Sequence, residues 1–83
     1  MNKTLFDILL PATGKRYDFW IPSDMQMQTA ANLVAEAMQV AEPDFYRASP
    51  NAALMMMETG EIQNPSVTPQ AIGLTDGVRF VLI

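Results

Sequence analysis

One segment with helical periodicity, flanked by segments with strand periodicity, is the feature that most constrains the fold. Its apolar residues recur at the i, i+3, i+4, i+7, i+8 and i+11 positions of one helix face: Ala30, Leu33, Val34, Ala37, Met38 and Ala41. This spacing predicts a helix of about Gln28–Ala41. Pro43 ends it, because proline cannot donate to the helical ladder and restricts the residue before it. The chain therefore has one helix to lay across whatever sheet the other segments form.

The N-terminal segment predicts a β-hairpin. Its arms are about Lys3–Leu10 and Lys15–Ile21, joined by a turn that contains Gly14. Alternation along the arms leaves Leu5, Asp7 and Trp20 on the outer side of the sheet. The same alternation directs apolar side chains of both arms inward: Phe6, Ile8, Leu10, Tyr17, Phe19 and Ile21.

The second half of the chain predicts further strands joined by turns. A third strand occupies residues 52–59, and a very short strand around Ile62 follows a tight turn. Thr68–Gly73 forms a single helical turn, with threonine as its N-cap and glycine at its end. The last strand is Val78–Ile83. This order predicts a single α+β domain spanning residues 1–83, with a mixed four- to five-stranded sheet packed on one α-helix.

The composition removes most catalytic chemistry. The sequence has no cysteine and no histidine, which excludes thiol nucleophiles, Cys/His zinc sites and Ser-His-Asp hydrolysis. Its nine acidic residues are scattered singly, without the spacing of a calcium loop or a carboxylate cluster. We therefore expect a protein that is not an enzyme, with no catalytic residues, no metal and no cofactor.

Charge and hydropathy narrow the class of partner. The net charge is −4 and the five basic residues form no run, so binding to nucleic acid through phosphate neutralisation is not expected. No apolar run approaches the roughly 20 residues of a membrane span, and the N-terminus lacks the features of a signal peptide. These features favour a cytoplasmic protein that is not inserted in a membrane.

The order of elements and several local motifs resemble ubiquitin. The first turn, the third strand and the last strand of ubiquitin have counterparts in this chain: TGK (13–15), LMMMETGEI (54–62) and VTPQAIGLTDGVRFVLI (67–83). Among bacterial ubiquitin-like proteins, the chain looks most similar to the YukD/EsaB family, on the segments YDFWIPSD (17–24) and LTDGVRFVLI (74–83). The resemblance implies a ubiquitin-like β-grasp fold. It also implies an adaptor or regulator associated with type VII secretion, peripheral to a membrane-bound complex.

The resemblance also indicates what to expect at the end of the chain. In ubiquitin and in sulfur carriers, the last strand continues into a Gly-Gly tail whose carboxylate is activated. This sequence reaches Ile83 without those glycines, so we expect a protein that is not conjugated. Two alternatives stay open: a sulfur-carrier or conjugation-type protein whose tail is missing from this sequence, and a self-associating structural module, such as a homodimer.

Without chemistry of its own, the chain is expected to act through the outer side of its sheet. In the register assumed for the third strand, Leu54 and Met56 face outward, whereas Met55 and Met57 face the core. An apolar patch that contains flexible methionines is typical of a protein-binding surface. The predicted interaction residues are Leu9, Trp20, Leu54, Met56, Arg79, Val81 and Ile83.

Each of these residues also has a purely structural interpretation. The methionine run is more often core and surface filling, and a one-residue shift of register would dissolve the patch. Trp20 could simply cover a neighbouring side chain, although an exposed tryptophan is a favoured anchor for partners. Arg79 could orient an acidic group of a partner, but the expected arrangement is a pairing across the strand with Glu58 or Asp7.

Overall fold

Over residues 2–83, which the computed structural model describes, one α-helix packs on a four-stranded sheet. The elements in chain order are β1 (Lys3–Leu10), β2 (Lys15–Pro22), α1 (Met27–Ala41), β3 (Leu54–Met56) and β4 (Val78–Leu82). The strands lie in the order β2-β1-β4-β3. β1 and β4 are parallel, and the other two pairs are antiparallel. The structure thus confirms the predicted α+β architecture, with β4 between β1 and β3.

The β1–β2 hairpin forms as its alternation predicts. The six residues expected on the inner side are buried or pack against the core: Phe6, Ile8, Leu10, Tyr17, Phe19 and Ile21. In the turn, the N–H of Gly14 donates to the Leu10 carbonyl at 2.9 Å. The φ angle of Gly14 is +70°, a left-handed conformation that glycine adopts without steric cost.

The helix has nearly the predicted ends but a rotated buried face. Its buried residues are Met27, Ala30, Ala31, Val34, Ala35 and Met38. Leu33, Ala37 and Ala41 are exposed, so their predicted place in the core was wrong. The segment is rich in alanine, and more than one of its faces therefore has the period of a core stripe. The face that packs inward carries the small residues Ala31 and Ala35.

The core lies between α1 and the inner side of the sheet. At its centre the rings of Phe6 and Phe80 are 4.9 Å apart between centroids and tilted by 52°, a favourable aromatic geometry. The predicted cap at Thr68 is present, because its hydroxyl accepts the N–H of Ala71 at 3.1 Å. No helix within the described part of the chain is long and apolar enough to span a membrane.

β3 is shorter than predicted and has the opposite register. Leu54 lies opposite Leu82 and Met56 opposite Phe80, which places both side chains on the core side. Met55 lies opposite Val81 on the outer side. The outward placement of Leu54 and Met56, and the inward placement of Met55, were therefore wrong. Three consecutive methionines have the same hydropathy, so alternation could not decide between the faces.

The remainder of the third segment is not strand. Residues 57–59 form a turn, in which Met57 is half-buried and lies outside the buried core. The expected short strand around Ile62 is a single bridge between Ile62 and Met55. The sheet therefore has four strands rather than five in the described residues.

Candidate functional site

The side of the sheet that faces away from α1 is the candidate site, and we call it the outer sheet face. Its side chains alternate along each strand with those that fill the core. They form rows across the sheet, since directly opposed residues of neighbouring strands share a face. Its residues are Lys3, Leu5, Asp7, Leu9, Arg16, Asp18, Trp20, Met55, Ile62, Arg79, Val81 and Ile83.

Val81 is the centre of an apolar group that we call the Val81 cluster: Leu9, Met55, Ile62, Val81 and Ile83. Val81 lies between its cross-strand partners Leu9 and Met55. It is only 9% exposed although it stands outside the core cluster. Ile62 and Ile83 extend the cluster along the β3 side and are 61% and 48% exposed. The cluster thus offers apolar surface around a nearly covered centre.

A charged row crosses the outer sheet face next to this cluster. It consists of Asp18, Asp7 and Arg79 on adjacent strands. The two carboxylate oxygens of Asp7 accept hydrogen bonds from Arg16, at 3.1 Å from Nε and 3.0 Å from Nη2. This two-point contact neutralises Asp7 on the side of β2.

Arg79 is exposed and forms no ion pair with any group of residues 2–83. The expected pairing with Glu58 or Asp7 was wrong. Arg16 occupies both oxygens of Asp7, and Glu58 lies in the turn after β3 rather than in a strand. An unpaired guanidinium beside apolar neighbours is well suited to bind a carboxylate of another molecule.

Trp20 lies on the other side of the charged row, opposite Leu5. Its side chain is 58% exposed and stands on β2, an edge strand of the sheet. Tryptophan provides a large rigid contact area and is common among the residues that dominate binding energy. We call Trp20 and Leu5 the Trp20 pair.

The turn before β4 sets the position of Arg79. The Leu5 N–H donates to Oδ1 of Asp76 at 2.9 Å, and the Gly77 N–H donates to the Leu5 carbonyl at 2.9 Å. Gly77 has a φ angle of +86°, which a side chain would disfavour. These contacts fix the start of β4 against β1, two residues before Arg79. The arginine therefore stands on an ordered strand.

The structure brings together five of the seven residues predicted from the sequence: Leu9, Trp20, Arg79, Val81 and Ile83. Leu54 and Met56 are not among them, since both face the core. Sequence reasoning missed Met55 and Ile62. The hairpin alternation had already placed Leu5 outward, whereas only the β3 pairing brings Met55 and Ile62 to this face.

A second polar group lies away from the site and joins β2 to the end of α1. Glu42 accepts hydrogen bonds from the Tyr17 hydroxyl and from Nζ of Lys15, the latter at 3.0 Å. These two donors hold the pKa of Glu42 below its ordinary value, and the hydrogen bond to Glu42 raises the pKa of Tyr17. Within residues 2–83, no group of three acidic side chains is placed to hold a metal ion. The polar contacts of this group stabilise the fold.

Comparison with solved structures identifies the fold. The EccD5 ubiquitin-like domain from Mycobacterium xenopi superposes with a TM-score of 0.80 at 10% identity, covering 100% of this chain and 94% of that one. The ubiquitin-like domain of the Mycobacterium tuberculosis type VII secretion system protein EccD1 gives 0.76 at 15% identity, with 100% and 99% covered. Caldiarchaeum subterraneum ubiquitin gives 0.69 at 17% identity, with 99% and 92% covered.

The chain has a ubiquitin-like fold. At these identities the similarity concerns the fold alone. No family model matches the sequence, and no curated protein shows significant sequence similarity to it.

Proposed function

We propose that this chain is a non-conjugated ubiquitin-like adaptor that acts by binding another protein through the outer sheet face. The observation that carries the proposal is the unpaired Arg79, placed between the Val81 cluster and the Trp20 pair on one rigid sheet. Apolar groups on both sides of one unpaired charge combine binding area with orientation.

The proposed setting is a bacterial type VII secretion system, in which the chain would be a YukD/EsaB-like accessory component. Two similar structures are ubiquitin-like domains of EccD proteins, and one of these is named as a type VII secretion protein. The YDFWIPSD segment at residues 17–24 adds the resemblance to YukD/EsaB. We place the protein in the cytoplasm, peripheral to the secretion complex, with a protein partner and neither catalysis nor nucleic-acid binding.

The test compares two exposed arginines. Arg79→Glu reverses the charge at the centre of the outer sheet face, whereas Arg47→Glu makes the same change in the loop after α1. Each purified variant and the wild type are used as bait in lysate of the native host, with captured proteins identified by mass spectrometry. We expect the wild type and Arg47→Glu to enrich a secretion-machinery component, and Arg79→Glu to lose it.

Two results would count against the proposal in different ways. Equal capture by Arg79→Glu and the wild type would remove the outer sheet face as the binding site. Capture of no secretion component by the wild type would remove the assignment to secretion. The carrier alternative is tested separately, since an intact mass of the native protein that includes a Gly-Gly extension or a thiocarboxylate would favour it.

A further inference from the structure

The exposed face of α1 carries an apolar stripe with a carboxylate beside it. Leu33, Ala37 and Val40 follow the i, i+4, i+7 spacing of one helix face. Leu33 is 46% exposed and Val40 83% exposed. Glu36 is exposed on the same side and forms no ion pair within residues 2–83. We call these four residues the α1 stripe.

The α1 stripe and the outer sheet face match in charge. The outer sheet face carries three cations, Lys3, Arg16 and Arg79, against the two carboxylates of Asp7 and Asp18, in a chain of net charge −4. The acidic excess therefore lies on other surfaces, and Glu36 is part of it. Because Asp7 and Arg16 satisfy each other, Arg79 and Lys3 are the cations of this face that have no ion pair within residues 2–83. Arg79 lies in the central row, whereas Lys3 lies beyond the Trp20 pair at the start of β1. Asp18 stands two strands, about 10 Å, away from Arg79.

The two surfaces are also similar in spacing, to within about 3 Å. On the sheet, the Leu5 row and the Leu9 row are four residues apart, about 13 Å, and the Arg79 row lies midway. On the helix, Leu33 and Val40 are about 10.5 Å apart along the axis, with Glu36 between them. A helix laid along the strands would set its apolar ends over the Trp20 pair and the Val81 cluster, and its carboxylate near Arg79.

We infer that copies of this chain associate head to tail, with the α1 stripe of one copy docked on the outer sheet face of the next. The two surfaces differ, so the contact is heterologous and forms short open chains or a ring rather than a two-fold dimer. One helix face on a small sheet buries less area than a stable interface, and the net negative charge opposes contact between copies. The association is therefore weak and depends on concentration.

This contact covers the surface assigned above to the partner. Self-association and partner binding therefore compete, and a partner of high affinity would dissolve the chains of copies. The inference itself needs no partner, because it concerns the purified protein alone.

The test measures mass by sedimentation or light scattering from micromolar to millimolar concentration, together with the emission of Trp20, the only tryptophan. For the wild type we expect the average mass to rise with concentration and the emission to shift to the blue as the ring is covered. Glu36→Lys and Arg79→Glu each place like charges together, which should raise the concentration for half-association by about tenfold or more.

The double variant Glu36→Lys/Arg79→Glu provides the decisive comparison. The exchanged charges attract again across the contact, so self-association should return. Asp24→Lys makes the same charge change in the exposed turn before α1 and should leave self-association at the wild-type level. Circular dichroism checks that every variant is folded.

Three results would overturn the inference: a wild type that stays monomeric at millimolar concentration, a Glu36→Lys variant that associates like the wild type, or a double variant that is not restored. Failure of the adaptor proposal is distinguishable. Glu36→Lys should lose self-association and keep capture of the secretion component, whereas Arg79→Glu should lose both. A rise in mass that follows this charge pattern supports the inference even where no secretion component is captured.

Discussion

Leu54 and Met55 are neighbours in β3 that face opposite sides of the sheet, and truncating each to alanine tests which side builds the site. Leu54 is 2% exposed and packs in the core opposite Leu82. Leu→Ala at a buried position costs about 2–5 kcal/mol, and we expect the lower half of that range because β3 is an edge strand of three residues. Met55 is half-buried on the outer sheet face, so its truncation should cost less than about 1 kcal/mol.

These costs convert into separable melting temperatures. A chain of 83 residues unfolds with an entropy of roughly 0.17 kcal/mol/K, so each kcal/mol shifts Tm by about 6 °C. We expect Leu54→Ala to lower Tm by about 12–21 °C and Met55→Ala by at most about 6 °C. Urea titrations of both variants should show a shifted midpoint for Leu54→Ala with an unchanged slope.

We expect the two variants to have the opposite order in their effect on binding. At a temperature where both variants are folded, Met55→Ala should weaken partner capture and self-association, whereas Leu54→Ala should retain both. If Met55→Ala were the more destabilising change and Leu54→Ala the one that reduced binding, the register of β3 and the composition of the Val81 cluster would be wrong.

Three further expectations concern the parts that hold the fold. The ordinary pKa of Glu42 is 4.5, and hydrogen bonds from Tyr17 and Lys15 lower it in the folded protein. The stability that these two hydrogen bonds contribute is therefore complete above pH 4.5. It is lost as the pH falls through the lower pKa of the folded state. The Tm deficit of Glu42→Gln should therefore shrink below pH 4.5, and a constant deficit in a thermal scan against pH would contradict this. Thr68→Ala removes an N-cap and should cost about 1 kcal/mol in urea unfolding, unlike Thr68→Ser. In Gly77→Ala the added Cβ has no neighbouring atom, but the residue has a φ of +86°. The substitution should therefore cost about 1–2 kcal/mol through backbone strain alone. No loss of stability would refute that cause.

The hairpin and the last strand could be predicted because polar residues mark their outer faces. Asp7 in β1 and Arg79 in β4 each stand between apolar neighbours, which fixes the alternation and hence the direction of every other side chain. The end of α1 was predictable for a similar reason, since Pro43 is incompatible with a continuing helix. These local signals are strong because only one arrangement satisfies them.

The rest depended on contacts between segments distant in sequence. Alternation along the methionine run of β3 carries no polar marker, because Glu58 lies in the following turn. The partner of Asp7 depends on which arginine reaches it, and Arg16 of the adjacent strand does so with two hydrogen bonds. Consequently the sequence located the outer sheet face but not which of its two arginines stays without an ion pair.

β4 makes the outer sheet face a preformed surface. The strand pairs with β1 on one side and with β3 on the other, and its inward residues Phe80 and Leu82 are buried in the core. Arg79 and Val81 alternate with them, so the same packing that stabilises the fold holds the site in place. A preformed surface loses little conformational entropy on binding. Substitutions at Phe80 or Leu82 should therefore alter binding only through unfolding, whereas an exposed residue such as Arg79 can change the choice of partner in a folded protein.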